Sequence, residues 1–235
     1  MLKGDYFRGV RTAIPILIGY FPAAMTFGLI AKNMDIDLVH ACLMSVMVFA
    51  GASQFMALNL IASGIATGEI VIATLLMNFR HFLMTASLSS KLQEGSRFLP
   101  VIAFGVTDET FAIASTREQK LSSGFLIGLE SVAYTSWVAG TAVGHALGRV
   151  LPHAIQRSLG IALYALFIAI LVPAVKRSSR AAVIALLSAG CHVLLSEIRI
   201  VSSGWNIIIA ILFAAAVGSL FFNKSSVNEL PEVDS

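Results

Sequence analysis

Charge is what this sequence has least of. Across 235 residues, 16 Lys and Arg with 13 Asp and Glu make up 12% of the chain, while 57% is hydrophobic and the mean hydropathy is +0.85. A soluble domain carries about a quarter charged residues, so this chain lacks the polar surface that a water-soluble fold needs. Disorder is excluded on related grounds, because it requires low hydrophobicity and high net charge. The net charge of +3 is scattered and leaves no basic stripe for nucleic acid. Cysteine is nearly absent as well: Cys42 and Cys191 lie singly in apolar stretches, which gives neither a disulfide framework nor a thiolate metal cluster. His40, His81, His145, His153 and His192 fall at no metal-ligand spacing. No P-loop, dinucleotide glycine motif, zinc-protease helix or nucleophile elbow occurs. The sequence therefore implies no cofactor, no metal and no enzymatic activity.

What is present is a succession of apolar stretches long enough to cross a bilayer, which takes about 20 helical residues. Residues 12–31 carry no formal charge and follow Lys3, Arg8 and Arg11. The stretch is too long for a signal peptide, and no clear small-residue cleavage site follows it. It reads as a retained first span, kinked or broken at Pro15 and Pro22. Residues 38–68 are again free of Lys, Arg, Asp and Glu and, at about 1.5 Å per residue, would outrun the bilayer as one helix. Gly51-Ala52-Ser53-Gln54 interrupts them. Either one tilted helix ends near Ala62, or two half-helices meet at this polar break.

The stretches 70–90 and 98–115 carry polar centres, and further spans fit at 124–148, 158–175, 181–196 and 203–222. The pattern predicts an all-α polytopic membrane protein of about 7–8 transmembrane helices, some broken near the midplane. The lower number applies if one polar-centred stretch is re-entrant. Residues 1–222 form a single transmembrane domain, and 223–235 a polar, disordered tail. With eight spans, Lys3, Arg8, Arg11, Arg117, Lys120, Lys176, Arg177, Arg180 and Lys224 fall inside. Lys32, Lys91, Arg97, Arg149, Arg157 and Arg199 fall outside. That bias favours both termini in the cytoplasm. Gly124, Gly128, Ser136, Gly140, Gly144 and Gly148 fall on a four-residue step broken only at Val132, a seam that lets helices approach closely in lipid. It reads as an internal helix contact or as a docking face for a second subunit. An inverted internal repeat would favour a transporter, but the echo of Gly19, Ala24 and Thr26 in Gly128, Ala133 and Thr135 is too short to define one.

The few charges inside apolar stretches carry the functional information, because an ionisable group at the bilayer centre costs about 2.5–3.5 kcal/mol on insertion scales. Arg80 sits near the centre of its stretch, and Asp108 and Glu109 at the middle of the next. Opposite signs at matched depth point to pairing, either as a static clamp or as the lining of a substrate or proton path. Adjacent residues of a helix point about 100° apart, so one Arg can hardly pair with both acids unless the helix is unwound there. His81 follows Arg80 and either titrates or packs. Glu130, one or two turns into its span, reads as interfacial before relay. Gln54 and Asn59 supply amides around the polar break, where half-helix N-termini could bind a carboxylate.

Three ordered segments carry a family resemblance: Leu43 to Phe55, containing Phe49-Ala50-Gly51-Ala52-Ser53-Gln54; Asn78-Phe79-Arg80-His81; and Thr107-Asp108-Glu109-Thr110-Phe111-Ala112. With Pro15, Gly19, Pro22, Phe27 and Gly28 upstream, they resemble the AzlC family of branched-chain amino acid permeases. The resemblance implies the large subunit of a bacterial inner-membrane exporter, working beside a small AzlD-like membrane subunit. The expected substrate is a small apolar amino acid, exported in exchange for protons. Gln54, Asn59, Asn78, Arg80, His81, Asp108 and Glu109 are the candidate substrate and coupling residues, with helix breaks at Pro22 and Gly51. Met47, Phe49, Phe55 and Met77 are candidate apolar walls. The competing reading is a membrane subunit whose main role is assembly with a partner that forms the path.

Overall fold

A computed structural model describes residues 2–92, 97–117, 120–148 and 179–198, with scattered residues between 168 and 218. Among the described residues every extended regular element is a helix. These are α1 (Leu2–Thr12), α2 (Ile14–Asn33), α3 (Leu38–Val48), α4 (Gly51–Ala62), α5 (Thr67–Ser89), α6 (Leu99–Gly105), α7 (Asp108–Ser115), α8 (Ser123–Leu147) and α9 (Ser179–Ile198). Helices α2, α5 and α9 are long and apolar enough to cross a membrane by length and composition. The chain is an all-α polytopic membrane protein, and the expectation of helices broken part-way along is borne out. The proposed boundary at residue 222, the tail 223–235 and most of the stretches 158–175 and 203–222 lie outside the described residues.

Pro15 stands in the first turn of α2, where its missing N–H is one that a helix start leaves unpaired anyway. The break expected at Pro22 is absent: α2 runs through it without interruption. Proline there withholds one donor, the one that would serve the Ile18 carbonyl, and neighbouring helices make such a loss tolerable in a span. Thr26 Oγ1 donates back to the Pro22 carbonyl at 3.1 Å.

Helix α8 is the axis on which α1, α2, α3, α6 and α7 pack, and the small-residue seam is what lets α1 and α2 approach it closely. A Cβ placed on Gly128 would lie 2.2 Å from the Tyr6 carbonyl oxygen, and one on Gly144 would lie 2.1 Å from that of Met25. The fit is reciprocal, since a Cβ on Gly28 would stand 2.1 Å from the Thr141 carbonyl oxygen. The seam is therefore an internal contact with α1 and α2. In lipid no hydrophobic drive brings helices together, so close backbone packing and interhelical hydrogen bonds carry the association.

Contacts along α8 fix the direction of its neighbours. Helix α2 runs parallel to it: Tyr20 packs on Trp137, Met25 lies against Gly144, and His145 Nε2 is 2.8 Å from the Ile36 carbonyl oxygen just beyond the end of α2. Helix α3 then heads back towards the middle, with Ser45 Oγ 2.8 Å from Thr141 Oγ1 and Phe49 packed on Tyr134. At Phe49 the backbone enters the left-handed region (φ 42°, ψ 47°), Ala50 follows at φ −142°, ψ 86°, and α4 begins. Helix α4 returns the way α3 came. Gln54 Nε2 donates to Ser45 Oγ across the turn at 3.0 Å, and Phe55 reaches Phe27, whereas Phe49 at the tip sits beside Tyr20.

Helix α5 carries the chain to the opposite face, where Lys91 Nζ donates to the Ser115 carbonyl at 2.7 Å and the Leu121 N–H donates to the Lys91 carbonyl at 2.8 Å. Helix α6 enters from that face, Val101 sharing a cavity with Ile127 and Phe104 packing on Tyr134. The chain is extended at Val106 (φ −70°, ψ 121°) and Thr107 (φ −126°, ψ 174°), and α7 comes back to Ser115 beside Lys91.

The polar-centred stretch 98–115 is thus a re-entrant hairpin, as the sequence allowed for one such stretch, while the other, 70–90, is the continuous helix α5. Residues 38–62 form a second hairpin, the two half-helices meeting at the break. Residues 14–62 and 67–115 have the same order, a crossing helix followed by a hairpin, in opposite orientations, and the two tips meet beside α8. The faint echo between the first span and 124–148 marked other segments. Sidedness changes too. Lys91 shares a face with Arg117 rather than lying opposite it, because α6 and α7 together do not cross.

Candidate functional site

The second tip is built by a cap. Thr107 Oγ1 accepts the Thr110 N–H at 3.4 Å while the Thr107 N–H donates to Thr110 Oγ1 at 2.8 Å. This reciprocal box starts α7 and sets Asp108 and Glu109 in its first turn, where the helix dipole favours negative charge. The two acids diverge. Asp108 Oδ2 lies 2.9 Å from Arg80 Nη1 of α5, and Glu109 Oε2 is hydrogen-bonded to the Tyr20 hydroxyl of α2, which is also 2.7 Å from Thr107 Oγ1. The geometric objection to one Arg serving both acids holds, and a tyrosine takes the second.

The first tip carries no charge and is positioned by a buried polar ring. Trp137 Nε1 donates to Gln54 Oε1 at 2.9 Å, Gln54 Nε2 to Ser45 Oγ at 3.0 Å, Ser45 Oγ meets Thr141 Oγ1 at 2.8 Å, and Thr141 Oγ1 donates to the Trp137 carbonyl at 3.0 Å. Such a ring leaves little freedom, since any member lost would strand its neighbours' polar atoms away from water. Gly51 begins α4 under the indole: a Cβ there would fall 2.5 Å from Trp137 Cη2. The Tyr134 hydroxyl donates to the Val46 carbonyl at 3.1 Å, satisfying one orphan at the end of α3.

Between the tips lies a cavity of about 30 Å³. Tyr20, Phe49, Ala50, Gly51, Ala52, Arg80, His81, Thr107, Asp108, Glu109 and Trp137 line it. It has room for a few waters at about one probe sphere each. Arg80 and Asp108 stay partly open to it, at 40% and 28% side-chain exposure, so their pairing is worth less than that of a fully dry ion pair. Arg80 Nε and Asn78 Oδ1 are buried without a hydrogen-bond partner. Arg80 therefore keeps unused donor capacity beside the cavity.

Of the residues singled out from sequence, Gly51, Arg80, His81, Asp108 and Glu109 come together here, with Phe49 as a wall. Gln54 does not line the cavity; at 1% exposure it stands behind Trp137 and orients it. Asn59 lies near the far end of α4, exposed, and Asn78 does not line the cavity either. Pro22 and Gly51 differ as breaks: the first interrupts nothing, and the second follows the true turn at Phe49–Ala50. Met47 is 70% exposed, Phe55 packs in the core against Phe27, and Met77 packs with Met56, Leu60 and Ala73. Glu130 is buried rather than interfacial. Tyr20, Trp137 and Thr107 were missed as site residues. Thr107 had a legible signal, a hydroxyl immediately before two acids, whereas single aromatics within spans had none.

Crossing helices of inverted orientation, each followed by a hairpin whose tip reaches a polar cavity, define an architecture that membrane transporters use to hold a ligand near the midplane. The description "AzlC protein" belongs to the family model matching residues 15–151, which covers both hairpin units and α8. The chain belongs to the AzlC family. It is 36% identical over 185 residues to an uncharacterized membrane protein of Archaeoglobus fulgidus, covering 77% of this chain and 82% of that one. It is 32% identical over 196 residues to the inner membrane protein YgaZ of Escherichia coli K12, covering 79% of each. The branched-chain amino acid transport protein AzlC of Bacillus subtilis 168 is 26% identical over 162 residues, covering 68% of this chain and 63% of that one. No solved structure matches the chain.

Proposed function

We propose that the chain is an inner-membrane secondary transporter that exports branched-chain and similar small apolar amino acids in exchange for protons. The observation that carries this reading is the Arg80–Asp108 pair, placed where the two tips meet and half-open to the cavity. A zwitterion presents one carboxylate and one ammonium a few bonds apart, so it can insert into such a pair and satisfy both members. Its carboxylate would take Arg80, including the unused Nε, and the unpaired first N–H groups of α4 at Gly51 and Ala52. Its ammonium would take Asp108, with Glu109 in reach through the same turn. The rings of Phe49, Tyr20 and Trp137 supply the apolar wall for an aliphatic side chain. A cavity of about 30 Å³ does not accommodate such a molecule, so binding requires the tips to part, and the inverted hairpins give each face its own gate.

The face carrying the N-terminus is assigned to the cytoplasm. Arg8, Arg11, Lys91, Arg97, Arg117 and Lys120 gather there, against Lys32 at the other face among the described residues up to 148. This is the asymmetry the positive-inside rule describes. A small AzlD-like membrane subunit is the expected partner, on the strength of the family resemblance. The test is export of labelled valine, leucine or methionine from preloaded cells. Arg80→Ala is expected to lower the export rate at least tenfold at unchanged membrane abundance, and equal export by wild type and variant would remove Arg80 from the site.

A further inference from the structure

Glu130 of α8 has no role in the cavity above, yet it is 4% exposed and its Oε1 has no hydrogen-bond partner. It lines an open pocket of about 330 Å³ with Val101, Phe104, Gly105, Ile127, Ser131 and Tyr134, of which Val101 and Phe104 are themselves exposed. Gly105 leaves the carboxyl its space, for a Cβ there would stand 2.5 Å from Glu130 Oε2. We propose that Glu130 is the proton-carrying site of this transporter, in a pocket of its own beside the amino-acid site; this deepens the transport reading and rests on it.

The chemistry of the lining selects the ligand. A metal cation would need several oxygen ligands, and the side chains here add two hydroxyls, those of Ser131 and Tyr134. Ser131 Oγ already donates to the Gly128 carbonyl at 3.0 Å, and the Tyr134 hydroxyl to the Val46 carbonyl. An amino acid would find no cation for its carboxylate among the described residues, since none of the lining side chains is a Lys or Arg. What remains is a proton, which cancels a charge that is expensive to leave unpaired at this depth. The titratable groups on the packed elements agree. Helix α1 contributes Tyr6, whose hydroxyl is 3.2 Å from Ser131 Oγ, and α8 itself contributes Tyr134. The Tyr20 hydroxyl of α2 and the acids of α7 are engaged with each other or with Arg80, while α3 and α6 bring no charged group to this cavity. Arg8 and Arg117 sit over the Phe125 ring, five residues from Glu130 and so about 140° around the helix.

Three rings divide the two pockets. Phe49 lines the amino-acid cavity, Phe104 and Tyr134 line the Glu130 cavity, and their centroids lie 5.2–6.2 Å apart in all three pairings. Tyr134 is tied to the end of α3 through Val46, so parting the first tip from α8 to admit substrate would disturb a ring that lines the Glu130 pocket. One proton would bind a carboxyl oxygen from water on one side and return to water on the other, with no other bond changed.

Two measurements on the purified full-length protein test this. Difference infrared spectra across a pH titration should show a protonated carboxylic acid band in wild type that Glu130→Gln removes; a spectrum unchanged by the substitution overturns the proposal. In proteoliposomes, Glu130→Gln should keep valine exchange between equal pools within about twofold while pH-gradient-driven accumulation falls at least tenfold, and Glu130→Asp should restore part of it. Full accumulation by Glu130→Gln, or loss of exchange along with accumulation, overturns the proton role. If the band is lost as expected but wild type moves no valine at all, the proton site stands and the amino-acid reading falls.

Discussion

At its tip the first hairpin presents Phe49, Ala50 and Gly51, uncharged and locked by hydrogen bonds and an indole, whereas the second presents Thr107, Asp108 and Glu109 in a capped turn whose acids reach out to Arg80 and Tyr20. Topologically the two are alike: each halts a helix part-way and starts another. Their chemistry is divided. The first tip sets shape, through a left-handed Phe49 and a glycine that admits Trp137, and a left-handed non-glycine residue of this kind costs about 1–3 kcal/mol that its surroundings must offset. The second tip sets charge. An inverted pair that divides its labour suits the zwitterionic substrate proposed above, whose two charges differ, better than two identical tips would.

That division can be broken experimentally, beginning where the effect is largest. Asp108→Ala leaves Arg80 uncompensated; with the pair partly open to the cavity, the loss of stability is expected near 3 kcal/mol, at the low end for broken buried pairs. The double variant Arg80→Ala/Asp108→Ala should recover most of that thermal stability in detergent but no transport. A double variant that transports would show the charged tip to be a clamp alone. Gln54→Leu attacks the neutral tip, stranding Trp137 Nε1, and about 2 kcal/mol of destabilisation is expected. Substrate affinity should change less than for the charged pair, as read by isothermal binding; an equal loss of affinity would erase the contrast between the tips. Thr107→Val removes the cap of α7, worth about 1 kcal/mol, and loosens Tyr20, so a small drop in melting temperature should accompany a several-fold change in transport.

The charged half of the site was legible in the sequence because charge in an apolar run is costly and therefore conspicuous: Arg80, Asp108 and Glu109 needed no contacts to be noticed. The neutral half was half-legible. Gly51 to Gln54 marked a break, but the turn itself falls at Phe49–Ala50, because an amide like Gln54 gains more by bonding Ser45 and Trp137 within the core than by facing the cavity. Tyr20 and Trp137 were not legible, since an aromatic residue in a span gives no sign of which neighbour it will meet. Glu130 was read from its distance along the helix, but burial is set by what packs around it, here Gly105 and the rings of Phe104 and Tyr134.

Scarcity of charge, by itself, determined that this chain lives in a membrane as a set of helices, because a backbone in hydrocarbon must satisfy its own hydrogen bonds. It also marked which ionisable groups stand at positions where charge is costly. Only the tertiary structure decided that residues 38–62 and 98–115 turn back rather than cross. An apolar stretch is equally soluble in lipid whether it continues or returns, so composition carries no record of direction. Direction follows from long-range partners, such as Lys91 with Ser115, Ser45 with Gln54, and the glycines of α8 against α2, which no local pattern encodes.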